Sequence, residues 1–208
     1  MWPPQGAHAI GAVSHLDRVV QVVRRAPAGR PYFQASGFLL VGDVVITAAH
    51  VVRDHASTYE VRPLRPASLP ARVVVRRVVT HAGRDLALLI LDTERSALPS
   101  LRFGELPHDI GQARIHAVGF PRFTVEDSLP RAHQIDGTVQ LGSDRTGHQL
   151  QLSVHSTDPP QVHIGGSPWA GYSGAGILTK REGLLVAIAA SHRPDGDRKN
   201  TTGTDLVG

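Results

Sequence analysis

Short apolar runs rich in β-branched residues recur along the chain, and none carries a long 3.6-residue period. "RVVQVVR" (18–24), "SGFLLVGDVVITAAHVV" (36–52), "ARVVVRRVV" (71–79) and "LALLILD" (86–92) are each bounded by glycine, proline or charge, the pattern of strands closed off by turns. A second series follows a Pro/Gly-rich connector at 99–111: "ARIHAVGF", "HQIDGTVQLG", "HQLQLSVHS", "GAGIL" and "GLLVAIAAS". The one short helical candidate is "TAAHVVRD" (47–54). Many short strands with closely spaced turn signals predict an all-β barrel or sandwich rather than alternating α/β units. Two series of similar length predict two β-barrels, the first over 18–100 and the second over 101–208, preceded by an N-terminal extension at 1–17.

Composition narrows the chemistry. The 208 residues are 41% apolar and 19% charged, ordinary for a globular protein of one or two domains. No stretch reaches the ~18 uninterrupted apolar residues of a membrane span. "MWPPQGAHAIGAVSH" has no basic region followed by an apolar one, so no export signal is read there and a cytoplasmic location is expected. Cysteine is absent, which excludes disulfides, thiolate metal sites and a cysteine nucleophile. The net charge of +4 and pI of about 10.1 raise the question of nucleic acid. The basic residues are spread out, the densest pairs being Arg24/Arg25 and Arg76/Arg77, with no interleaved aromatics. A solvated surface, with neither a nucleic-acid nor a membrane partner, is the expectation. Twelve histidines are present without a HExxH spacing, and His148, His155 and His163 fall in strand or loop contexts. No metal and no cofactor is expected.

The stretch "PWAGYSGAGIL" (168–178) surrounds Ser173 with Gly171, Gly174, Ala175 and Gly176. One reading is a tight turn between strands, for which glycine and serine are common. The other is a nucleophile turn, whose small residues admit a substrate backbone and leave amide N–H groups free to face a developing oxyanion. His50 stands where an apolar strand gives way to two alanines, and Asp85 opens "DLALLIL". Each alone reads as a residue at a strand boundary. Together, in the order His50, Asp85, Ser173, they supply a general base, a carboxylate to orient it and a hydroxyl to activate. The first two fall in the first barrel and the serine in the second, so they can converge only in the cleft between. Asp92 is the rival carboxylate, but seven residues along one strand is ~23 Å at about 3.3 Å per residue.

"TAAHVV", "DLALLIL" and "GYSGAGIL" resemble the three signature segments of trypsin/chymotrypsin-like serine proteases, in particular the cysteine-free bacterial Deg/Htr-type members; "ASGFLL", "HAVGFP" and "GLLVAIAAS" occupy matching places. The resemblance spans about 18–205. It implies two six-stranded antiparallel barrels of chymotrypsin type with the active site between them, and a serine endopeptidase acting on polypeptide through an acyl-enzyme. A catalytically silent, peptide-binding module of the same fold is the alternative. It further implies an oxyanion hole from the N–H groups of Gly171 and Ser173. The primary specificity pocket would have Ser167 at its floor and Ala190, Ser191 and His192 along its wall. With no carboxylate at that floor, apolar side chains are expected first, acidic ones second and basic ones last. Tyr172 stands where many members carry an aspartate that pairs with a newly cut N-terminus, so activation by N-terminal cleavage is not expected. The end at "TDLVG", without the closing helix of secreted members, leads to the expectation of a protease domain within a longer protein, coupled to a regulatory or sensor domain.

Overall fold

The computed structural model describes residues 14–25, 31–54, 56–66, 69–93, 98–106, 111–126, 129–141, 149–155, 169–192 and 200–205. The first apolar series forms β1 (Val19–Arg25), β2 (Pro31–Val41), β3 (Val44–Thr47), β4 (Thr58–Pro63), β5 (Val73–Thr80) and β6 (Ala87–Leu91). They pair in the order β1-β2-β3-β6-β5-β4, and β1 closes on β4 to complete a barrel. The second series forms β7 (Gln112–Gly119), a small hairpin of β8 (Val125–Glu126) and β9 (Leu129–Pro130), then β10 (His133–Gln140), β11 (Gln149–Val154), β12 (Gly176–Thr179), β13 (Leu185–His192) and β14 (Asn200–Asp205). Its six long strands close in the order β10-β11-β14-β13-β12-β7. Among the described residues these strands pair with one another antiparallel throughout, so the fold is the all-β, two-barrel architecture expected from the sequence.

Two of the barrel strands carry no strand signal in the sequence. β4, "TYEVRP", interrupts its apolar positions with charges and a proline, yet Tyr59 and Val61 pack in the first barrel's core. Glu60 beside them is only 3% exposed, because Arg25 (2.6 Å) and Arg62 (2.7 Å) donate to its carboxylate and compensate its burial. β14, "NTTGTD", has no large apolar residue and is held by its ladders to β11 and β13. The run 36–52 is in turn two strands, split by a turn at Gly42 and Asp43.

Each barrel has its own core, and a third apolar cluster joins them. Val19, Phe38 and Ile46 of the first barrel meet Val118, Phe120, Leu178, Leu185 and Ile188 of the second. Burying side chains of this size stabilises by ~1.5–3 kcal/mol each relative to exposure, which fixes one barrel against the other. Arg18 reinforces the join. Buried at the start of β1, its guanidinium donates to the carbonyls of Leu39 (3.1 Å), Leu40 (2.7 Å) and Pro99 in the connector. Among the described residues no helix is long and apolar enough to cross a membrane.

Candidate active site

β3 runs up to the barrel mouth and gives way to a single 3-10 turn, Ala49–Val52. Val51 and Val52 of that turn are buried, whereas His50 is half-buried. Asp85, just before β6, receives three hydrogen bonds from this turn. Its carbonyl accepts from Ala49 N–H (3.2 Å), Oδ1 accepts from His50 N–H (2.8 Å) and Oδ2 lies 2.7 Å from His50 Nδ1. An ionised carboxylate only accepts, so Nδ1 carries the proton and Nε2 is left as the basic nitrogen. Burial pushes the Asp85 carboxyl up, but the His50 ring and backbone N–H groups, with Arg53 nearby, outweigh it and hold the group below its ordinary range. Asp92 lies at the other end of β6, where its N–H donates to Val74.

In the second barrel, residues 169–175 form a turn whose backbone groups can be followed one by one. Tyr172 N–H donates to Trp169 O (2.9 Å) and Gly171 has φ of 94°, the signature of a type II turn with glycine at its third position. Ala170 O accepts from Arg122 N–H (2.7 Å), and Tyr172 O from Ala175 N–H (3.0 Å). Gly174 N–H donates to Ala189 O (2.7 Å). Ser36 of β2 reaches over from the first barrel, its N–H donating to Ser173 O (2.9 Å) and its Oγ to Gly171 O (2.8 Å). Among the described residues the N–H groups of Gly171 and Ser173 have no acceptor. In a turn where the carbonyls of 169–173 and the other N–H groups of 172–175 are all matched, these two donors, one residue apart in the chain, stand out.

Tyr172 anchors this turn from below. It is buried in the second barrel's core, and its ring meets Trp169 edge-on with centroids 5.7 Å apart, a favourable aromatic geometry. Burial pushes its phenol well above the ordinary range, so it stays neutral at any working pH. Ser173 Oγ donates to Ala190 O at 3.0 Å. That carbonyl is available because the β13–β14 ladder slips between Ala189 and Ser191, leaving Ala190 unpaired; such bulges re-aim groups beside active sites. Among the described residues no hydrogen bond joins Ser173 to His50.

Of the residues expected to line a specificity pocket, Ala190 is thus placed beside Ser173. Ser191 and His192 follow it in β13, their side chains outside the described residues, as is Ser167 altogether. Among the histidines, His155 Nε2 lies 3.0 Å from Thr138 Oγ1, while His148 and His163 fall outside the described residues. The sequence did not single out Ser36, Thr47 or Arg122. Thr47 donates to Ser36 O (2.8 Å). The only local hint of Ser36 and Thr47 is a polar residue standing inside an apolar strand, and Arg122, in a 3-10 turn after β7, has none.

Residues 35–188 match the trypsin-like peptidase domain. A search of the curated proteins gives no match. Among solved structures, the chain is similar to the serine endoprotease from Yersinia pestis, with a TM-score of 0.67 and 18% identity over 92% of this chain and 59% of that one. It is also similar to a catalytically inactive tobacco etch virus protease complexed with substrate, with a TM-score of 0.60 and 15% identity over 92% of this chain and 78% of that one. The chain therefore spans about three-fifths of the length of the Yersinia protein, and at these identities the likeness is one of fold.

Proposed function

Starting from the fact that this chain belongs to the trypsin-like peptidase domain family, we propose that it is a serine endopeptidase with Ser173 as nucleophile, His50 as general base and Asp85 as the group that orients the imidazole. The observation that carries this reading is the pair of unmatched N–H groups at Gly171 and Ser173, in a turn bonded directly to Ser36 of the first barrel, the barrel that also carries a histidine already paired through Nδ1 to a carboxylate. A fixed pair of donors has little use for a neutral substrate carbonyl and much for the oxyanion that forms on attack.

In the cycle, the Ser173 side chain first turns from Ala190 O to His50 Nε2. Its oxygen then bonds to the scissile carbonyl carbon while its proton passes to Nε2, and the resulting oxyanion is held by Gly171 and Ser173 N–H. Asp85 stabilises the imidazolium without taking its proton. Collapse breaks the C–N bond, and the amine leaves with the proton from Nε2. Water, deprotonated by the same nitrogen, hydrolyses the acyl-serine. A polypeptide is the substrate, with an apolar side chain preferred beside Ala190, Ser191 and His192 over a neutral floor at Ser167.

One observation favours a silent peptide-binding module: the Ser173 hydroxyl is engaged by a carbonyl, which cannot act as a base. A fluorophosphonate probe separates the two readings. Labelling of the wild type, abolished in Ser173→Ala, with hydrolysis of a protein substrate reduced by roughly 10⁶ in that variant, supports the peptidase. An unlabelled, folded wild type refutes it.

A further inference from the structure

We infer that the hydroxyl of Ser36, supplied by the first barrel, is a positioning group for the oxyanion hole of the second, an inference that rests on the peptidase reading above. Ser36 is 0% exposed, and its hydroxyl and its N–H each donate to the nucleophile turn. Its Oγ donates to Gly171 O (2.8 Å) and accepts from Phe120 N–H (2.9 Å), where β7 ends. Its N–H donates to Ser173 O (2.9 Å), and its own carbonyl accepts the Thr47 hydroxyl (2.8 Å).

The consequence lies in how a peptide plane is fixed. The direction of the Gly171 N–H is set by the plane before its Cα, and the freedom of that Cα is limited by the plane after it. Arg122 N–H holds the first plane through Ala170 O, while the second is held at both ends, by the Ser36 hydroxyl on Gly171 O and by Trp169 O on Tyr172 N–H. Gly171 stands at φ of 94°, one of many conformations open to glycine. With the second plane left to Tyr172 N–H alone, the residue gains freedom to leave this geometry and carry its N–H out of the site. The backbone bond from Ser36 N–H to Ser173 O survives in Ser36→Ala, so that substitution removes the hydroxyl's contribution alone.

Ser36→Ala and Ser36→Thr are compared with the wild type on a fluorogenic peptide, with active sites counted by fluorophosphonate titration so that unfolded protein does not enter kcat. In Ser36→Ala, kcat per titrated site is expected to fall ~10–100-fold, short of the ~10²–10³ for outright removal of a donor, with KM within about twofold. A peptide aldehyde, whose hemiacetal oxygen occupies the same hole, should lose affinity by a factor similar to the fall in kcat. Ser36→Thr, which restores the hydroxyl, should recover most of both. A kcat per titrated site within about threefold of wild type in Ser36→Ala overturns the inference, even where the titratable fraction drops, since that is the mark of a merely structural role. Hydrogen exchange supplies a second measurement independent of turnover. The amides of Tyr172, Gly174 and Ala175, all bonded in the turn, should lose protection in Ser36→Ala while the first barrel's strands keep theirs. Unchanged protection also overturns the inference. An inactive wild type refutes the peptidase reading instead, and the exchange result then decides whether Ser36 holds the turn.

Discussion

Gly174→Ala should unfold the nucleophile turn, and its cost can be worked out from the surroundings. Gly174 has φ of 91°, where a side chain is strained, and a Cβ there would stand 1.9 Å from Ser36 O and 2.2 Å from Thr47 Oγ1. Neither neighbour can yield easily. Ser36 O is backbone in a buried strand and already accepts from Thr47, which is itself buried. Opening more than an ångström of space breaks that bond together with Ser36 N–H to Ser173 O or Gly174 N–H to Ala189 O. The dihedral costs ~1–3 kcal/mol, and each buried group left unmatched adds ~1–3 kcal/mol. The total, about 5 kcal/mol, is comparable with the whole stability of a marginal domain, ~5–15 kcal/mol. For a chain of this length about 2–4 °C is lost per kcal/mol, so calorimetry should show Tm lower by ~10–20 °C. Any folded fraction should have kcat/KM down by about 10² or more, since a displacement of ~1 Å at reacting groups costs that much. Gly83→Ala is the control: the nearest atom to its Cβ is His81 Cε1 at 3.9 Å, and its effect should stay within about 0.5 kcal/mol. A Gly174→Ala protein with Tm within about 2 °C of wild type and full activity would refute this account of the turn.

Asp85→Asn should lower kcat by roughly 10⁴ by permitting the wrong imidazole tautomer, while Asp92→Asn, whose backbone faces Val74, should match the wild type in the same steady-state assay. Glu60 is pushed up by burial but held below its ordinary range by hydrogen bonds from Arg25 and Arg62, and Asp85 is depressed in the same sense. A carboxyl depressed in the folded state adds stability above its unfolded pKa, ~4, that is lost as pH falls through the lower folded value. Urea midpoints should therefore drop below about pH 4.5, and Glu60→Gln should cost ~2 kcal/mol at pH 7 and flatten that acid limb; an unchanged acid limb counts against the pairing. Profiling on a peptide library should give cleavage after apolar residues, and dominant cleavage after Arg or Lys would refute the proposed neutral pocket even with the proposed roles of His50, Asp85 and Ser173 intact.

What could be read in the sequence follows the range of the interactions behind it. The strands built on β-branched runs were legible because their inward positions are filled locally, and β1, β3 and β6 each announce themselves. β4 was not, because its buried Glu60 makes sense only beside Arg25, thirty-five positions earlier. β14 was not either, since its polar residues draw their order from neighbours on both sides. The pairing of His50 with Asp85 was inferred from residue type and order, and the same reasoning put Ser173 Oγ toward His50. The hydroxyl rests instead on Ala190 O, a carbonyl exposed by a slip in the β13–β14 register. No pattern along the chain encodes that slip.

Tyr172 shows the same limit from another side. As a sequence feature it is a missing carboxylate, and the inference from it was negative: no ion pair with a cut N-terminus. The structure gives the position a positive role. A buried aromatic ring, packed edge-on against Trp169 and beneath the Gly171–Ser173 donors, holds the turn by apolar contact that requires no charge, no cleavage and no change of protonation. An ion pair in that place would exist only after a new ammonium had been made, and would couple the turn to that event. A ring is present as soon as the second barrel has folded. The conformation of the turn is thereby tied to the packing of the two barrels, through Tyr172 on one side and Ser36 on the other, so whatever loosens the seam between them loosens the Gly171 and Ser173 N–H groups as well.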